Sequence, residues 1–246
     1  MNNYFQFKQF RIEQGQTAMK VCTDSCIFGA WIQPKPEVRS VLDVGTGTGL
    51  LSLMLAQRWL AKPNKGEHRQ IDAVEIEALA YHQACQNVAA SPWADYIMVH
   101  HQAIQDYAQQ NNQAYDLIIT NPPFFENHLK TQRKSQNQAL HSESLSFDEL
   151  LEAITHLLAS EGTLAVLLPV YQMTQFAKKA DAMGLYLTEA WRIHNHPKKL
   201  DFRMMAYFER NKPQPILPEQ TFFIRNAQQQ YTSEFIALLK DYYLIF

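Results

Sequence analysis

The sequence predicts an open α/β fold: a mostly parallel sheet of seven strands with an antiparallel edge strand, and helices on both faces. Three observations lead there. Short apolar runs alternate with helix-length segments from residue 40 onward, the pattern of strand–helix units that build a parallel sheet. A glycine-rich turn, GTGTG, joins the first of these strands to its helix. The last two runs, YLTEAWRI (186–193) and RMMAYFER (203–210), read as a closing strand pair, which suggests the antiparallel edge.

The elements follow in order. Residues 4–21 alternate, contain Gly15 and read as a short hairpin; an amphipathic helix follows at about 24–32, closed by Pro34 and Pro36. SVLDV (40–44) is a strand and 49–60 a helix; IDAVEIE (71–77) is a strand and 78–90 a helix. YIMVHH (96–101) and YDLIIT (115–120) are strands. FDELLEAITHLLA (147–159) is a helix stopped by Gly162, TLAVLLP (163–169) a strand and 171–183 a helix ending at Gly184. The tail holds a proline-rich connector (213–218), a short strand at 221–224 and a helix at about 231–243.

A chain of 246 residues, 46% hydrophobic and 19% charged, suits one α/β domain with a large core. We divide it into a hairpin and helix (1–36), a core (37–212) and an extension (213–246). The net charge of −2 gives no general support for nucleic-acid binding, so any such site is a local patch. The three cysteines, Cys22, Cys26 and Cys85, are too few and at the wrong spacing for a disulfide framework or a zinc site. No metal is expected. No signal peptide and no membrane span are read, and a cytoplasmic monomer is the expectation.

The chemistry begins at Asp43-Val44-Gly45-Thr46-Gly47-Thr48-Gly49. Glycines between a strand and a helix permit a tight turn and let a ligand approach the backbone. A nicotinamide-binding turn needs a third glycine or alanine three residues on, and neither Leu50 nor Ser52 supplies it; no Gly-Lys-Ser/Thr follows, so it is not a P-loop. Asp43 disfavours a pyrophosphate but suits a cofactor carrying an ammonium and a sulfonium. The pattern therefore points to S-adenosylmethionine, held by Asp43, Gly45, Gly47 and Gly49. Glu75, at the end of the second strand, is placed to accept from ribose hydroxyls, with Glu77 the near alternative. Gln102 and Ala103, after the third strand, fall beside the adenine ring by position.

The fourth strand runs into Asn121-Pro122-Pro123-Phe124, at the carboxyl end where such sheets bind ligands. An aryl or amide NH2 is a poor nucleophile because its lone pair is delocalised. Asn121 can accept one N–H through its side-chain oxygen and Pro122 the other through its carbonyl, which favours the transition state where the nitrogen becomes tetrahedral and positive. Consecutive prolines fix the backbone, and Phe124 offers a face for a flipped base. The expected reaction is in-line methyl transfer to a planar nitrogen, with no strong base.

These residues resemble the class I, Rossmann-like methyltransferases that carry an N-P-P-[FY] motif. More of the chain is similar to one of their families, the bacterial tRNA1(Val) adenine-37 N6-methyltransferases. Ala18-Met19-Lys20-Val21-Cys22-Thr23-Asp24 with Phe28-Gly29-Ala30-Trp31 matches its opening M-K-x-G-T-D segment, except that Cys22 stands where a glycine is usual. Tyr231-Thr232-Ser233-Glu234-Phe235 and Asp241-Tyr242-Tyr243-Leu244 match its closing motif. The resemblance implies that residues 20–24 close over the cofactor, with Lys20 on its carboxylate and Thr23 and Asp24 shaping the pocket. It also implies a tRNA substrate. Two basic clusters are candidate phosphate contacts: Lys130, Arg133 and Lys134 in the long 124–146 loop, and Lys198, Lys199 and Arg203 with Arg192, His194 and His196 around the last strand connection. Other acceptors for the same chemistry are a guanine amine in ribosomal RNA and a glutamine amide in a release factor. A non-catalytic partner subunit is a different class, and would be expected to lose Asp43, Glu75 or Asn121.

Overall fold

Apolar runs become strands. The computed structural model describes residues 2–17, 19–61, 68–122, 145–198, 202–213 and 218–246. A hairpin of β1 (Tyr4–Gln6) and β2 (Arg11–Glu13) leads to α1 (Thr23–Trp31). Then come β3 (Ser40–Val44), α2 (Leu50–Trp59), β4 (Gln70–Glu75), α3 (Ala78–Ala89), β5 (Ile97–His101), α4 (Ile104–Gln110) and β6 (Tyr115–Thr120). They are followed by α5 (Phe147–Leu157), β7 (Leu158–Leu168), α6 (Val170–Ala182), β8 (Tyr186–His194), β9 (Arg203–Glu209), β10 (Gln220–Phe223) and α7 (Ser233–Leu239).

The sheet is mostly parallel, as expected, but has eight strands in the order β10-β8-β9-β7-β6-β3-β4-β5. The eighth is the short strand of the tail: β10 pairs in parallel with β8, from Gln220 opposite Trp191 to Phe223 opposite His194. The antiparallel strand is not the edge. β9 runs antiparallel between β7 and β8, and β10 satisfies backbone groups that an uncovered β8 would present to solvent. The extension thus completes the core sheet.

Alternate strand residues feed two cores, one on each face. Val41, Leu117, Ile119, Ala165 and Leu167 pack with residues of α1, α2 and α7. Leu42, Val44, Ile118, Leu164 and Val166 pack with residues of α4, α5 and α6. Each large side chain so buried stabilises the fold by about 1.5–3 kcal/mol. Helix α4 went unread in the sequence, although Ile104, Tyr107 and Ala108 sit at helical spacing and are buried. Helix α5 starts on a capping box between Ser146 and Glu149. It ends at Leu157, ahead of Gly162, because β7 already begins at Leu158.

Helix α1 departs from expectation: every residue from Asp24 to Trp31 is buried, so it is not amphipathic. The chain's two ends cover it. The Lys8 amide donates to the Tyr242 carbonyl at 2.8 Å, and its ammonium donates to the carbonyls of Lys240 and Phe246. The Tyr242 hydroxyl donates to the Met54 carbonyl at 2.9 Å. Phe235 is 1% exposed and stacks on Tyr231 at 4.9 Å between centroids. Below α1, Gly29 lies so close to α2 that a Cβ there would stand 2.8 Å from Met54 Sδ.

Candidate active site

The sheet's order of construction reverses at β3. From β3 the chain builds outward through β4 and β5 on one side, then through β6 and β7 on the other. Such a switch point opens a crevice at the carboxyl ends. Val44 of β3 lies in register with Thr120 of β6, and the Thr120 hydroxyl donates to the Val44 carbonyl at 2.9 Å. The glycine turn and Asn121 therefore leave the sheet side by side.

Gly45, Gly47 and Gly49 all have positive φ, at 71°, 59° and 80°, which a side chain would strain. At Gly45 and Gly47 a Cβ would meet nothing within 4 Å, so these backbones border open space. The amides of Gly45 and Thr46 donate to the Val74 carbonyl at 2.9 and 3.1 Å, pinning the turn to β4.

Asp43 is fully buried. Its Oδ2 accepts from the hydroxyls of Thr46 and Ser52, each at 2.7 Å. Its Oδ1 is buried without a partner among the described residues. Burial pushes the carboxyl up to about 6, against the opposing pull of the Ser52 and Thr46 hydrogen bonds. The nearby Glu75 charge raises it further, so a positive charge brought beside Asp43 would favour its ionised form. Glu75 accepts from the Gly47 amide at 2.8 Å through Oε2 and from the Glu77 amide at 2.9 Å through Oε1. Glu77, the weighed alternative, caps α3 by accepting from the amides of Leu79 and Ala80. The Gln102 amide donates to the Glu75 carbonyl at 3.0 Å, and Ala103 is the N-cap of α4.

Asn121 ends β6. Its Nδ2 donates to Ser25 Oγ at 3.0 Å, while its Oδ1 is buried with no partner among the described residues. Pro122 behind it is buried. Pro123 and Phe124 lie outside the described residues, as do Lys130, Arg133, Lys134 and Lys199. Lys20 donates through Nζ to the Gln14 carbonyl. Thr23 opens α1 and, with Asp24, lines a cavity of about 500 Å³ walled by Phe202, Arg225, Tyr231 and Tyr243. A second cavity of about 1040 Å³, among Trp31, Arg58, Trp191 and Tyr207, lies toward the opposite, amino end of the strands.

The basic residues divide. Lys198 is exposed, its amide donating to His196 Nδ1 at 3.1 Å. Arg203 forms an ion pair with Asp24 at 2.9 Å, and the two side chains are only 22% and 11% exposed. Arg192 pairs with Glu219 at 2.5 Å. Among the described residues no group of three His, Cys, Asp or Glu side chains could hold a metal, and no helix is long and apolar enough to cross a membrane.

The family model for the methyltransferase small domain matches residues 25–172, which contain the glycine turn, Glu75 and Asn121. The chain is 40% identical over 243 residues to the tRNA1(Val) (adenine(37)-N6)-methyltransferase of Cytophaga hutchinsonii, covering 99% of this chain and 98% of that one. It is 42% identical over 247 residues to the protein of the same name from Dyadobacter fermentans, covering 100% and 99%. This chain belongs to that methyltransferase family. Its fold is shared with a predicted O-methyltransferase of Agrobacterium tumefaciens, at a TM-score of 0.61 and 14% identity over 88% of this chain and 95% of that one. The methyltransferase uses S-adenosylmethionine. The open space at Gly45 and Gly47 and the orphaned Asp43 oxygen fit a cofactor bearing positive charge.

Several residues that build the methyltransferase site were not read from the sequence. Thr46 and Ser52 hold Asp43, and Ser25 holds Asn121. Asn87 donates to the carbonyls of Thr48 and Glu13, tying the glycine turn to the hairpin. For Ser25, Ser52 and Asn87 the common signal is a polar residue on a helix position facing the core, as with Ser52 inside LLSLML; Thr46 belongs to the glycine turn itself.

Proposed function

We propose that this methyltransferase methylates the exocyclic N6 of an adenine in tRNA, adenine 37 of tRNA1(Val). The observation that carries the acceptor class is the buried, unpartnered Asn121 Oδ1 beside the glycine turn. The full-length relatives named for this reaction support the nucleic acid and the position.

In this reading the backbones at Gly45, Gly47 and Gly49 hold the cofactor, with Asp43 near its positive charge and Glu75 accepting from its ribose. Each Glu75 oxygen keeps a free lone pair for that purpose. Gln102 and Ala103 flank the adenine ring, and Lys20 and Thr23 close the methionine end. Bound there, the cofactor supplies a methyl group made electrophilic by its sulfonium. Asn121 Oδ1 and the Pro122 carbonyl accept the two amine hydrogens and turn the nitrogen lone pair toward that methyl. Their pull strengthens as the nitrogen gains positive charge, so they stabilise the transition state more than the ground state. Pro123 stiffens the acceptor turn and Phe124 stacks on the flipped base. Lys130, Arg133, Lys134, Lys198 and Lys199 hold phosphates; Arg203, committed to Asp24, contributes less to the RNA.

We place the enzyme in the cytoplasm as a single-domain monomer without a metal; its three cysteines are free thiols. The test is labelled-methyl transfer to tRNA from a strain lacking the enzyme, followed by digestion and mass spectrometry. N6-methyladenosine at position 37 is expected. Label on guanine N2, or on a glutamine of a release factor offered in parallel, would overturn the assignment.

A further inference from the structure

Asn121 is useful as an acceptor only if its carboxamide is turned the right way. The oxygen and nitrogen of an amide have nearly the same shape, so neighbours must set the flip. Here the Asn121 amide meets Ser25 Oγ at 3.0 Å, and Ser25 Oγ meets Cys22 Sγ at 3.0 Å. The Asp24 carboxylate lies beside both, its Oδ1 accepting from the Ser25 amide at 3.1 Å and its charge acting on the Cys22 thiol. Asp24 is held by Arg203 at 2.9 Å.

Such a chain has one polarity. A carboxylate accepts and cannot donate. The Cys22 thiol, pushed up to about 11 by burial first and then by the Asp24 charge, keeps its proton, and that charge draws the proton toward the carboxylate rather than toward Ser25. Its sulfur then accepts the single hydroxyl proton of Ser25. The Ser25 oxygen can only accept from Asn121, so the NH2 group must face Ser25 and Oδ1 must face away. The opposite flip would set two lone pairs against each other in a buried site, where an unmade hydrogen bond is costly.

We propose that Ser25 is a positioning residue for methyl transfer, fixing with Cys22 and Asp24 the flip of Asn121 so that its oxygen meets the acceptor amine. This rests on the amine-acceptor reading above. It also gives Cys22, which departs from the family's usual glycine, a part in the site.

A double-mutant cycle on the whole protein tests it, with single-turnover transfer to tRNA as the readout. Asn121→Ala should lose about 10²–10³ in rate, as for a deleted preorganised hydrogen-bond group. Ser25→Ala should lose about 10-fold or more with cofactor Kd and tRNA KM within about twofold of wild type, but nothing further in the Asn121→Ala background. Ser25→Thr, which keeps the hydroxyl, should recover most of the rate. If Ser25→Ala lowers the melting temperature, comparison with Ser25→Thr at a temperature where both are folded keeps the reading clean. Equal losses in the two backgrounds, or a parallel loss of cofactor affinity, would overturn the positioning role. Wild-type protein that leaves tRNA unmethylated would instead sink the functional reading and this role with it.

Discussion

The amide of Gly47 lies 2.8 Å from Oε2 of Glu75, so the glycine turn after β3 and the end of β4 are fastened by one carboxylate. Glu75 also takes the Glu77 amide. It shapes the turn before any ribose is offered to it.

If Glu75 accepts from the cofactor ribose as proposed, Glu75→Ala should lower cofactor affinity twice over, by removing those hydrogen bonds and by loosening the turn. Hydrogen bonds to a charged group contribute about 1.5–3 kcal/mol, so Kd should rise about 10- to 100-fold. Glu75→Gln keeps one acceptor oxygen and should lose less. Calorimetry on both variants checks this; equal affinity in Glu75→Ala and wild type removes Glu75 from the site.

If Asp43 faces the cofactor's positive charge as proposed, binding should depend on pH. The carboxyl's folded pKa is about 6, against 3.8 ordinarily, because it is buried. For the free protein, the stability it contributes is present below the ordinary value and is lost as pH rises through about 6. A positively charged ligand favours the ionised form. Affinity should rise between about pH 5 and 7 and then level, with proton release on binding near pH 6. Titrations in buffers of differing ionisation enthalpy measure that release. A flat profile, or one that survives Asp43→Asn unchanged, rules out the coupling.

Lys198 and Arg203 should separate when replaced. Lys198→Ala with Lys199→Ala should flatten the salt dependence of tRNA binding, by about 0.7–0.9 in log–log slope for each phosphate left without its lysine. Cofactor binding should not change. Arg203→Ala strands the Asp24 carboxylate at the start of α1 and should reduce transfer more than it changes the salt slope. The Lys130, Arg133 and Lys134 set provides the comparison. A wild-type slope in both lysine cluster variants would move the phosphate-binding surface elsewhere, with the Arg225 and Lys240 region next.

Gly29→Ala tests the seat of α1. The added methyl would stand 2.8 Å from Met54 Sδ and 3.2 Å from Met54 Cβ. Overpacking of this kind costs about 1–3 kcal/mol. The melting temperature should fall by several degrees, and transfer should suffer because Ser25 rides on the same helix. An unchanged melting temperature would mean that Met54 yields freely.

Much of this was legible in the sequence because local chemistry carries it. The apolar run YDLIIT is β6 as read, and the positive φ of Gly45, Gly47 and Gly49 is what the turn pattern demanded. Asn121 lies beside that turn with its Oδ1 buried and without a partner among the described residues. What could not be read depends on distant partners. The short strand of the tail was read, but not that it joins the main sheet as β10, because its pairing with β8 depends on residues some thirty positions earlier. α1 is buried all round only because residues some two hundred positions later fold over it. The partners of Ser25 and Arg203 are likewise set by packing rather than spacing.

The clasp between Lys8 and residues 240–246 has a bearing on how the chain is made. The two halves of the Lys8–Lys240 contact are 232 positions apart, so an emerging chain must hold its hairpin and α1 without that cover until residue 240 has been made. Contacts so remote in sequence form late and slow folding. The central strands can condense first, whereas the helix bearing Ser25 settles last. A nascent chain would then carry a formed glycine turn and an unset acceptor, and would begin to methylate only once its tail had arrived.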